Sequence, residues 1–317
     1  MYRFRALVLT CFLAAGALCA AADAPSKGGP VTIRIGTLPT EDALPLWAAE
    51  QLGLTASAGL TLQVITFQSA QERDVALASA AIDGFMGDLI AAASLEAGGV
   101  PVTVATLMLG ATAAEGRFGI VAAPGSGIRD LKGLSGVPVA TSSGTIQEYV
   151  MDGLLKRAGV ADIRKEEVKK VPVRFELLMS GKVKAAALPE PLLSLAEKQG
   201  AVLLADDTSG PNLSQTVLVV SKRFLDRPGA AEALRRLLQV WDRAAERVNA
   251  DPGAWRATLV EKARLPKPIQ ESYRINRYPK SQLPRREEVD AVLVWMREKD
   301  LLKKPVGYED LCSPLPK

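Results

Sequence analysis

The chain has 317 residues, 48% of them hydrophobic, and its 39 basic and 35 acidic side chains give a formal net charge of +4. This length suits two ordinary domains, and so small a charge excess is not the footprint of a nucleic-acid-binding protein. The sequence has no histidine, which excludes Ser-His and Cys-His catalytic pairs, histidine metal sites and the usual pH switch. We expect neither a metal ion nor a cofactor.

The N-terminal segment has the pattern of an export signal. Arg3 and Arg5 form a basic start, residues 6–18 form an apolar run, and residues 20–22 supply an A-x-A cleavage site. The apolar run is too short to span a membrane comfortably. Cleavage after Ala24 and retention as an uncleaved anchor are the alternatives. The pattern favours a cleaved signal and a periplasmic protein.

Cleavage after Ala22 removes residues 1–22, including Cys19. A lipid on Cys19 is disfavoured because Leu18, just before it, is large where lipoprotein signals have a small residue. The removed segment holds two arginines and no acid, so the formal charge falls from +4 to +2. Cys312 is then the only cysteine, and a single thiol cannot form an internal disulfide.

Strand and helix patterns alternate through the first third of the chain. Alternating or short apolar runs predict strands, and segments with a 3.6-residue period predict helices. The predicted strands are 31–39, 60–67, 82–87 and 102–109, and the predicted helices are 43–54, 69–82 and 88–99. Ser69 is the expected N-cap of the second of these helices, with Glu72 three residues later completing a capping box.

The same alternation recurs in the middle of the chain, and the remainder is helical. The next predicted strands are 117–124, 137–142, 168–173, 185–188, 201–206 and 216–221, and the helices among them are 127–134, 144–160, 174–183 and 191–200. The charged stretch 164–170 is expected to be a solvated face. After Pro228 the predicted helices are 229–252, 254–265 and 286–302.

This alternation predicts an α/β protein in which helices cover mainly parallel sheets. Two such units joined by two crossings imply two lobes with a cleft between them. Ligands of open α/β sheets bind outside the carboxyl ends of the strands. Those ends are predicted at 37–42, 87–88, 141–145 and 188–191.

The corner Ser142-Ser143-Gly144-Thr145 follows a predicted strand and begins a predicted helix. Free N–H groups at a helix start favour an oxyanion, a carboxylate or a carbonyl oxygen. A catalytic serine is disfavoured because the chain has no histidine to act as its base. Simple capping of the helix by Ser143, without ligand contact, is the other interpretation. The pattern favours ligand binding.

Acidic residues gather near these predicted strand ends. They are Glu41, Asp42, Asp88, Glu148 and Glu190. Glu41, Asp42, Asp88 and Glu190 are open to two interpretations: each either faces the ligand or caps a helix, because acids stabilise helix N-termini. Arg174 begins a helix and either binds a ligand carboxylate or forms a salt bridge. It is the one plausible cationic counterpart to the acids.

Carboxylates in a closed cleft are costly unless a positive group compensates them. We therefore expect a ligand with an amine or a protonatable heterocycle, whose oxyanion or carbonyl end meets residues 143–145. The predicted ligand-binding residues are Thr40, Glu41, Asp42, Gly87, Asp88, Ser142, Ser143, Gly144, Thr145, Arg174, Leu188 and Glu190.

Five segments, taken in order, carry a family resemblance. They are "IGTLPTEDALPLWAAEQLGL", "ASAAIDGFMGDLIAA", "GIRDLKGLSGVPVATSSGT", "LLMSGKVKAAALPEPLLSLAEKQG" and "DLLKKPVGYEDL". Over roughly residues 31–312 the chain resembles the periplasmic solute-binding proteins of ABC importers. The most similar branch binds nitrate, sulfonates, taurine and thiamine-pyrimidine precursors.

The resemblance implies a two-lobed type II periplasmic-binding-protein fold. Lobe one would comprise 31–112 plus 213–317 and lobe two 115–208, with hinge crossings near 110–116 and 208–216. It also implies a monomeric receptor that delivers a small solute to an ABC permease in the inner membrane, with its ATPase. The acids at the strand ends depart from what a simple anion binder is expected to have.

Two other functions fit the same fold. One is a ligand-sensing module for a membrane sensor. The other is an enzyme resembling those of thiamine-pyrimidine biosynthesis, which is disfavoured because that chemistry centres on a histidine and this chain has none. We expect a binding protein and not an enzyme.

Overall fold

The structure, a computed structural model, describes residues 30–313. The predicted signal segment, with Cys19 and both candidate cleavage sites, lies outside the described residues. None of the helices within residues 30–313 is long and apolar enough to cross a membrane.

Ten strands of the described region form two five-stranded sheets, with strand orders β2-β1-β3-β10-β4 and β7-β6-β8-β5-β9. The strands are β1 (Val31–Thr37), β2 (Leu60–Thr66), β3 (Gly84–Gly87), β4 (Val102–Leu109), β5 (Phe118–Ala122), β6 (Pro138–Thr141), β7 (Arg164–Glu167), β8 (Ala185–Pro189), β9 (Val202–Asp206) and β10 (Thr216–Ser221). We call the first sheet and the helices packed on it lobe one, and the second sheet with its helices lobe two.

In each sheet four strands run in one direction and a single strand runs against them. β10 is antiparallel to β3 and β4, and β5 is antiparallel to β8 and β9, whereas the other pairings are parallel. β5 and β10 are the first strands after the chain crosses from one lobe to the other. A chain that leaves one sheet at its carboxyl edge enters the next at the facing edge, so its first strand there runs backwards. The predicted mainly parallel sheets are confirmed.

Helices cover both faces of each sheet. The α-helices within residues 30–313 are α1 (Leu44–Gln51), α2 (Leu54–Ser57), α3 (Ala70–Ala78), α4 (Leu89–Ala97), α5 (Ile146–Arg157), α6 (Val171–Met179), α7 (Leu192–Lys198), α8 (Lys222–Leu225), α9 (Ala230–Ala250), α10 (Arg256–Lys262), α11 (Arg286–Glu298) and α12 (Tyr308–Leu311). Short 3-10 helices lie at Glu41–Ala43, Leu131–Leu134, Pro252–Trp255 and Lys267–Ile269.

The longest helix, α9, shows why these segments fold as they do. Leu234, Leu237 and Trp241 recur at spacings of three and four residues and are buried, so one stripe of the helix faces α1 and the core of lobe one. The Trp241 indole N–H donates to the carbonyl of Pro279 at 3.0 Å, which satisfies its polar atom inside the core. α4 and α11 pack together in a second apolar cluster.

The predicted N-cap of α3 is confirmed. The hydroxyl of Ser69 accepts the N–H of Glu72 at 3.2 Å. The return bond of the predicted capping box differs, because the Glu72 carboxylate accepts the N–H of Gln68 instead of that of Ser69. The cap therefore satisfies one free N–H of the first turn, and the Glu72 carboxylate binds the residue before the cap.

One predicted strand, at 168–173, is wrong. The strand is β7, which ends at Glu167, and α6 already begins at Val171 with Pro172 in its first turn. Proline suits the first turn of a helix because its missing N–H has no intrahelical partner to lose. β7 lies at the edge of its sheet, where charged side chains reach solvent. This exposure hides the apolar pattern that would mark a strand.

The two crossings lie between β4 and β5 and between β9 and β10. The lobe boundaries, and a hinge near 110–116 and 208–216, stay predictions.

Candidate functional site

A cleft of about 1150 Å³ opens between the two lobes. The carboxyl ends of β3 and β8, the residues that follow β1 and β6, and the first turns of α3, α4, α5 and α6 line it. The volume is slightly above the roughly 300–1,000 Å³ typical of small-molecule pockets, as suits a cleft that is open to solvent. The chemistry of the cleft is therefore that of the strand ends.

The structure brings nine of the twelve predicted ligand-binding residues to this cleft. They are Thr40, Asp42, Gly87, Asp88, Ser142, Ser143, Gly144, Thr145 and Glu190. Glu41, Arg174 and Leu188 are not among its lining residues and are buried, with 4%, 0% and 0% of their surface exposed. Contact of any of the twelve with a ligand stays a prediction.

Asp42 and Asp88 are the predicted acids on the lobe-one side of the cleft. Asp88 caps α4, because its Oδ1 accepts the N–H of Ala91 at 2.8 Å, so this residue both caps a helix and lines the cleft. Asp42 accepts the hydroxyl of Thr40 at 3.2 Å. Burial raises the pKa of both carboxyl groups above their ordinary value, against the opposing effect of Arg73. A positive group in the cleft would relieve that cost.

Arg73 is the buried cation of lobe one, with 1% of its surface exposed. Its Nη1 donates to the carbonyl of Met86 at 3.0 Å, and its Nε and Nη2 donate to Asp74 Oδ1 at 3.0 and 2.8 Å. The guanidinium carbon lies 4.2 Å from the centre of the Phe85 ring. A Cβ at Gly87 would lie 2.6 Å from Nη1. Packing of this guanidinium therefore explains the glycine at position 87.

Glu41 lies behind the end of β1. Its Oε1 accepts from Asn276 Nδ2 at 2.7 Å, while its Oε2 is buried without a hydrogen-bond partner. Burial, and then the nearby carboxylates of Asp42 and Glu190, raise the pKa of Glu41 to about 8. Glu41 is therefore mostly protonated at neutral pH and acts as a neutral hydrogen-bonding group.

The corner at residues 142–145, which we call the lobe-two corner, lies at the start of α5 as predicted. Its hydrogen-bond donors already have partners. The N–H and the hydroxyl of Ser143 both donate to Glu167 Oε2, at 2.9 and 2.6 Å. The N–H of Gly144 donates to Glu148 Oε2 at 2.7 Å. Two carboxylates of the chain therefore occupy the position predicted for an oxyanion.

Thr145 is the N-cap residue of α5, yet its side chain caps nothing. Its hydroxyl donates to the carbonyl of Ser142 at 2.6 Å, which tightens the turn. Gly144 has a φ of +69°, a left-handed conformation that glycine adopts without strain. Capping of α5 by Ser143, which was the alternative interpretation, is not observed, because the Ser143 hydroxyl donates to Glu167.

Glu190 both lines the cleft and caps a helix. Its carboxylate accepts the hydroxyl of Ser194 at 2.8 Å and the N–H of Ser194 at 3.2 Å, near the start of α7. Arg117 Nη1 lies 3.3 Å from Glu190 and also pairs with Glu197 and Asp206. Arg117, which the sequence reasoning missed, thereby joins the start of β5 to the end of β9.

Arg174 is fully buried in lobe two. Its Nε donates to the carbonyl of Val168 at 3.1 Å and its Nη1 to the carbonyl of Ala187 at 2.7 Å, while Nη2 has no partner. Burial lowers the pKa of Arg174 to about 10, despite the opposing effect of Glu167. No carboxylate among residues 30–313 forms an ion pair with it, so the salt bridge considered from the sequence is not observed there.

The expectation that Arg174 is the one cationic counterpart is wrong. The structure places four other cations on the cleft lining: Arg73, Lys169, Lys170 and Arg264. They lie inside α3, in the turn before α6 and after α10, where no strand end marked them. Arg73 and Arg174 are each the fourth residue of a nine-residue helix, an equivalence that the predicted helices at 69–82 and 174–183 did not show. Within the described range no His, Cys, Asp and Glu side chains are grouped to hold a metal ion.

The solved structures that share the fold include several binding proteins. The periplasmic aliphatic sulphonate binding protein SsuA from Escherichia coli has a TM-score of 0.73 at 20% identity, covering 91% of this chain and 94% of that chain. SsuA from Xanthomonas axonopodis pv. citri, bound to MOPS, has a TM-score of 0.72 at 20% identity, covering 87% and 96%. The nitrate-binding protein NrtA from Synechocystis PCC 6803 has a TM-score of 0.67 at 16% identity, covering 89% and 85%.

At these identities the likeness establishes the fold, which is the two-lobed periplasmic-binding-protein fold that the sequence predicts. The NMT1/THI5-like family model matches residues 40–254, more than half of the chain, so the chain belongs to this family. No curated protein sequence matches the chain at a significant level.

Proposed function

We propose that the protein is an exported, non-enzymatic receptor of an ABC importer that captures a small polar solute between its lobes. The observation that carries the proposal is the open cleft lined by strand ends of both sheets. A solute that contacts both lobes only when they close shifts the open–closed equilibrium towards the closed form. The closed form is the species that an inner-membrane permease recognises.

The acids on the lobe-one side of the cleft support a solute with an amine or a protonatable heterocycle, although the lining as a whole also holds Lys169, Lys170 and Arg264. Asp42 and Asp88 line the lobe-one side, and burial raises the pKa of both. The buried cation beside them, Arg73, is already engaged by Asp74 and the carbonyl of Met86. A ligand ammonium group would compensate the two carboxylates, whereas a bare sulfonate or nitrate would add to the repulsion.

The absence of histidine in the chain supports binding over catalysis, because the related biosynthetic chemistry centres on that residue. The receptor acts as a monomer, is released into the periplasm by cleavage of its signal, and works with a permease and its ATPase. Stimulation of the ATPase of the reconstituted permease by the liganded protein distinguishes transport from a sensing role.

Native mass spectrometry of protein purified from its own periplasm would identify a co-purified solute. A thermal-shift panel of amines, pyrimidines, amino acids, sulfonates and nitrate then ranks the ligand classes. Asp42→Asn and Asp88→Asn keep the shape of the site, and asparagine still caps a helix. Each is expected to weaken binding of a cationic ligand by about 2–5 kcal/mol.

Glu261→Gln is the matched control. The Glu261 side chain lies on α10 and is 71% exposed, so the substitution removes one negative charge away from the cleft. Stabilisation by sulfonates or nitrate alone, with Asp42→Asn and Asp88→Asn silent, would contradict the amine assignment. An unchanged radius of gyration in small-angle scattering at saturating ligand would contradict lobe closure.

A further inference from the structure

The lobe-two corner has the hydrogen-bond donors of an oxyanion site, but carboxylates of the same chain already accept them. In lobe two, Ser143 directs two donors to Glu167, and Gly144 directs its N–H to Glu148. α5 is twelve residues long, and the side chain of its N-cap residue, Thr145, makes no capping hydrogen bond. Its first turn carries the partial positive charge of a helix N-terminus. Such an N-terminus binds an anion readily.

Two buried polar atoms beneath this corner also lack partners. Thr141, the last residue of β6, is fully buried and its hydroxyl has no hydrogen-bond partner. Arg174 Nη2 is equally buried and equally unpartnered. Arg174 donates to Val168, just after β7, and to Ala187 in β8. Since β6 lies between β7 and β8 in the sheet, the guanidinium is placed at the end of β6, below the corner.

Glu148 and Glu167 are not among the residues that line the cleft, but they accept the donors of its corner. We propose that Glu167 and Glu148 determine the specificity of the cleft by taking up these donors and so excluding oxyanions from the corner. The ligand group that meets the corner is then a hydrogen-bond donor, an amine or a hydroxyl, that the Glu167 carboxylate accepts. This inference deepens the proposed function, because it concerns the ligand class of the same cleft.

The two glutamates are held in place differently. Glu148 is buried and its Oε1 lies 2.5 Å from Lys165 Nζ, so its removal would break a buried ion pair, although Asp152 would still pair with Lys165 at 2.7 Å. Glu167 is exposed. Although partial burial opposes it, the two hydrogen bonds from Ser143 and the nearby Lys169 lower the pKa of Glu167 below its ordinary value. Glu167 is therefore charged at neutral pH and can be replaced without disturbing the core.

The test is a gain of function. Sodium ethanesulfonate and sodium nitrate are titrated by calorimetry into the wild-type full chain and into Glu167→Ala, Glu167→Gln and Glu166→Ala, at constant ionic strength with chloride as the balancing ion. Glu166 precedes Glu167 in β7, is also exposed, and points to the other face of the strand, so Glu166→Ala removes the same charge elsewhere.

Glu167→Ala is expected to bind ethanesulfonate at least about ten-fold more tightly than the wild type and than Glu166→Ala, a change of about 1.4 kcal/mol. The affinity of Glu167→Gln for ethanesulfonate is expected to lie between those of Glu167→Ala and the wild type, because the glutamine amide oxygen still accepts from Ser143. Adding Ser143→Ala to Glu167→Ala is expected to abolish the gain. If Glu167→Ala does not fold, Glu167→Gln must still exceed the wild type.

Equal affinity of the wild type and both Glu167 variants, whether tight or undetectable, would overturn the inference, as would a gain that survives Ser143→Ala. The result is separable from the amine assignment. A gain of sulfonate binding without any wild-type response to amines would support the corner mechanism and contradict the cationic ligand.

Discussion

Each lobe buries an arginine and a glutamate of which only one is paired, and the two lobes differ in which of the two it is. In lobe one Arg73 is paired with Asp74 at 2.8 Å, whereas the buried acid Glu41 forms no ion pair with any residue of 30–313. In lobe two the acid Glu148 is paired with Lys165 at 2.5 Å, whereas Arg174 forms no ion pair within that same range. Of these four groups each lobe holds one that is paired and one that is not, and the signs are exchanged. Two other buried acids stand outside this comparison: Asp83 pairs with Arg34 and Arg227, and Asp207 forms no ion pair with any residue of 30–313.

The two arginines nevertheless occupy equivalent positions. Each is the fourth residue of a nine-residue helix, α3 or α6, and each donates to a strand carbonyl 13 residues further along the chain. The backbone therefore decides where the guanidinium lies, through the carbonyls at the strand end. The neighbouring side chains decide what its burial costs.

The largest expected effect is at Glu41, the uncompensated acid of lobe one. Its folded pKa of about 8 lies above that of an unfolded glutamate, about 4.3, so the folded state holds an extra proton between these pH values. Its contribution to the free energy of unfolding is fully present below the unfolded pKa and is lost as the pH rises through 8. Glu41→Gln should remove this dependence.

Urea unfolding of both proteins at about pH 5 and about pH 9 measures the effect. Relative to Glu41→Gln, the wild type is expected to lose about 3–5 kcal/mol of unfolding free energy over that interval. Parallel pH profiles for the two proteins would show that Glu41 is compensated in lobe one after all.

Arg73→Met is expected to cost the next largest amount, about 2–4 kcal/mol of unfolding free energy. The substitution leaves Asp74 without its cation and the buried carbonyl of Met86 without its donor. Arg297→Met on the exposed side of α11 is the control and should stay within about 0.5 kcal/mol of the wild type. Chemical denaturation at neutral pH measures all three proteins.

Arg174→Met is expected to cost less, about 1–2 kcal/mol, because the loss of two carbonyl partners is offset by removal of a buried charge without a carboxylate. The same denaturation experiment tests it. A cost equal to or above that of Arg73→Met would break the comparison between the lobes, since it would mean that the charge of Arg174 is compensated.

The smallest expected effects concern the first turns of α3 and α6. Ser69 caps α3 with its hydroxyl, whereas the equivalent residue of α6, Lys170, provides no side-chain cap. Ser69→Ala should lower the unfolding free energy by about 1 kcal/mol, and Lys170→Ser should raise it by about 0.5–1 kcal/mol. If Lys170→Ser leaves the free energy of unfolding unchanged, the free N–H groups at the start of α6 already have other hydrogen-bond partners.

Prediction from the sequence succeeded where the pattern is local. The strand at 102–109 is β4 residue for residue, and the helix predicted at 286–302 begins with α11 at the same arginine. Ser69 was identified as an N-cap from a four-residue signature. β7 was misplaced because an edge strand of charged residues has no apolar pattern.

The site was predicted in outline, since the loops after four strands line the cleft as expected. The hydrogen-bond partners and charges of the site were not predicted. Ser143 was assigned to a ligand, but Glu167, 24 residues later, takes both of its donors. Arg73 was overlooked because a charged residue inside a helix gives no sign of being buried until the neighbouring strand ends are in place.

Apolar periodicity and capping residues specify the elements and their alternation, and therefore the α/β class, because each depends on neighbours within one or two turns. Which buried polar and charged groups find partners depends mainly on contacts between residues that are apart in the chain, such as Lys165 with Glu148 and Asn276 with Glu41. The cost of a buried charge is set by desolvation and by the partners within a few ångströms. Only the packed sheets determine both of these.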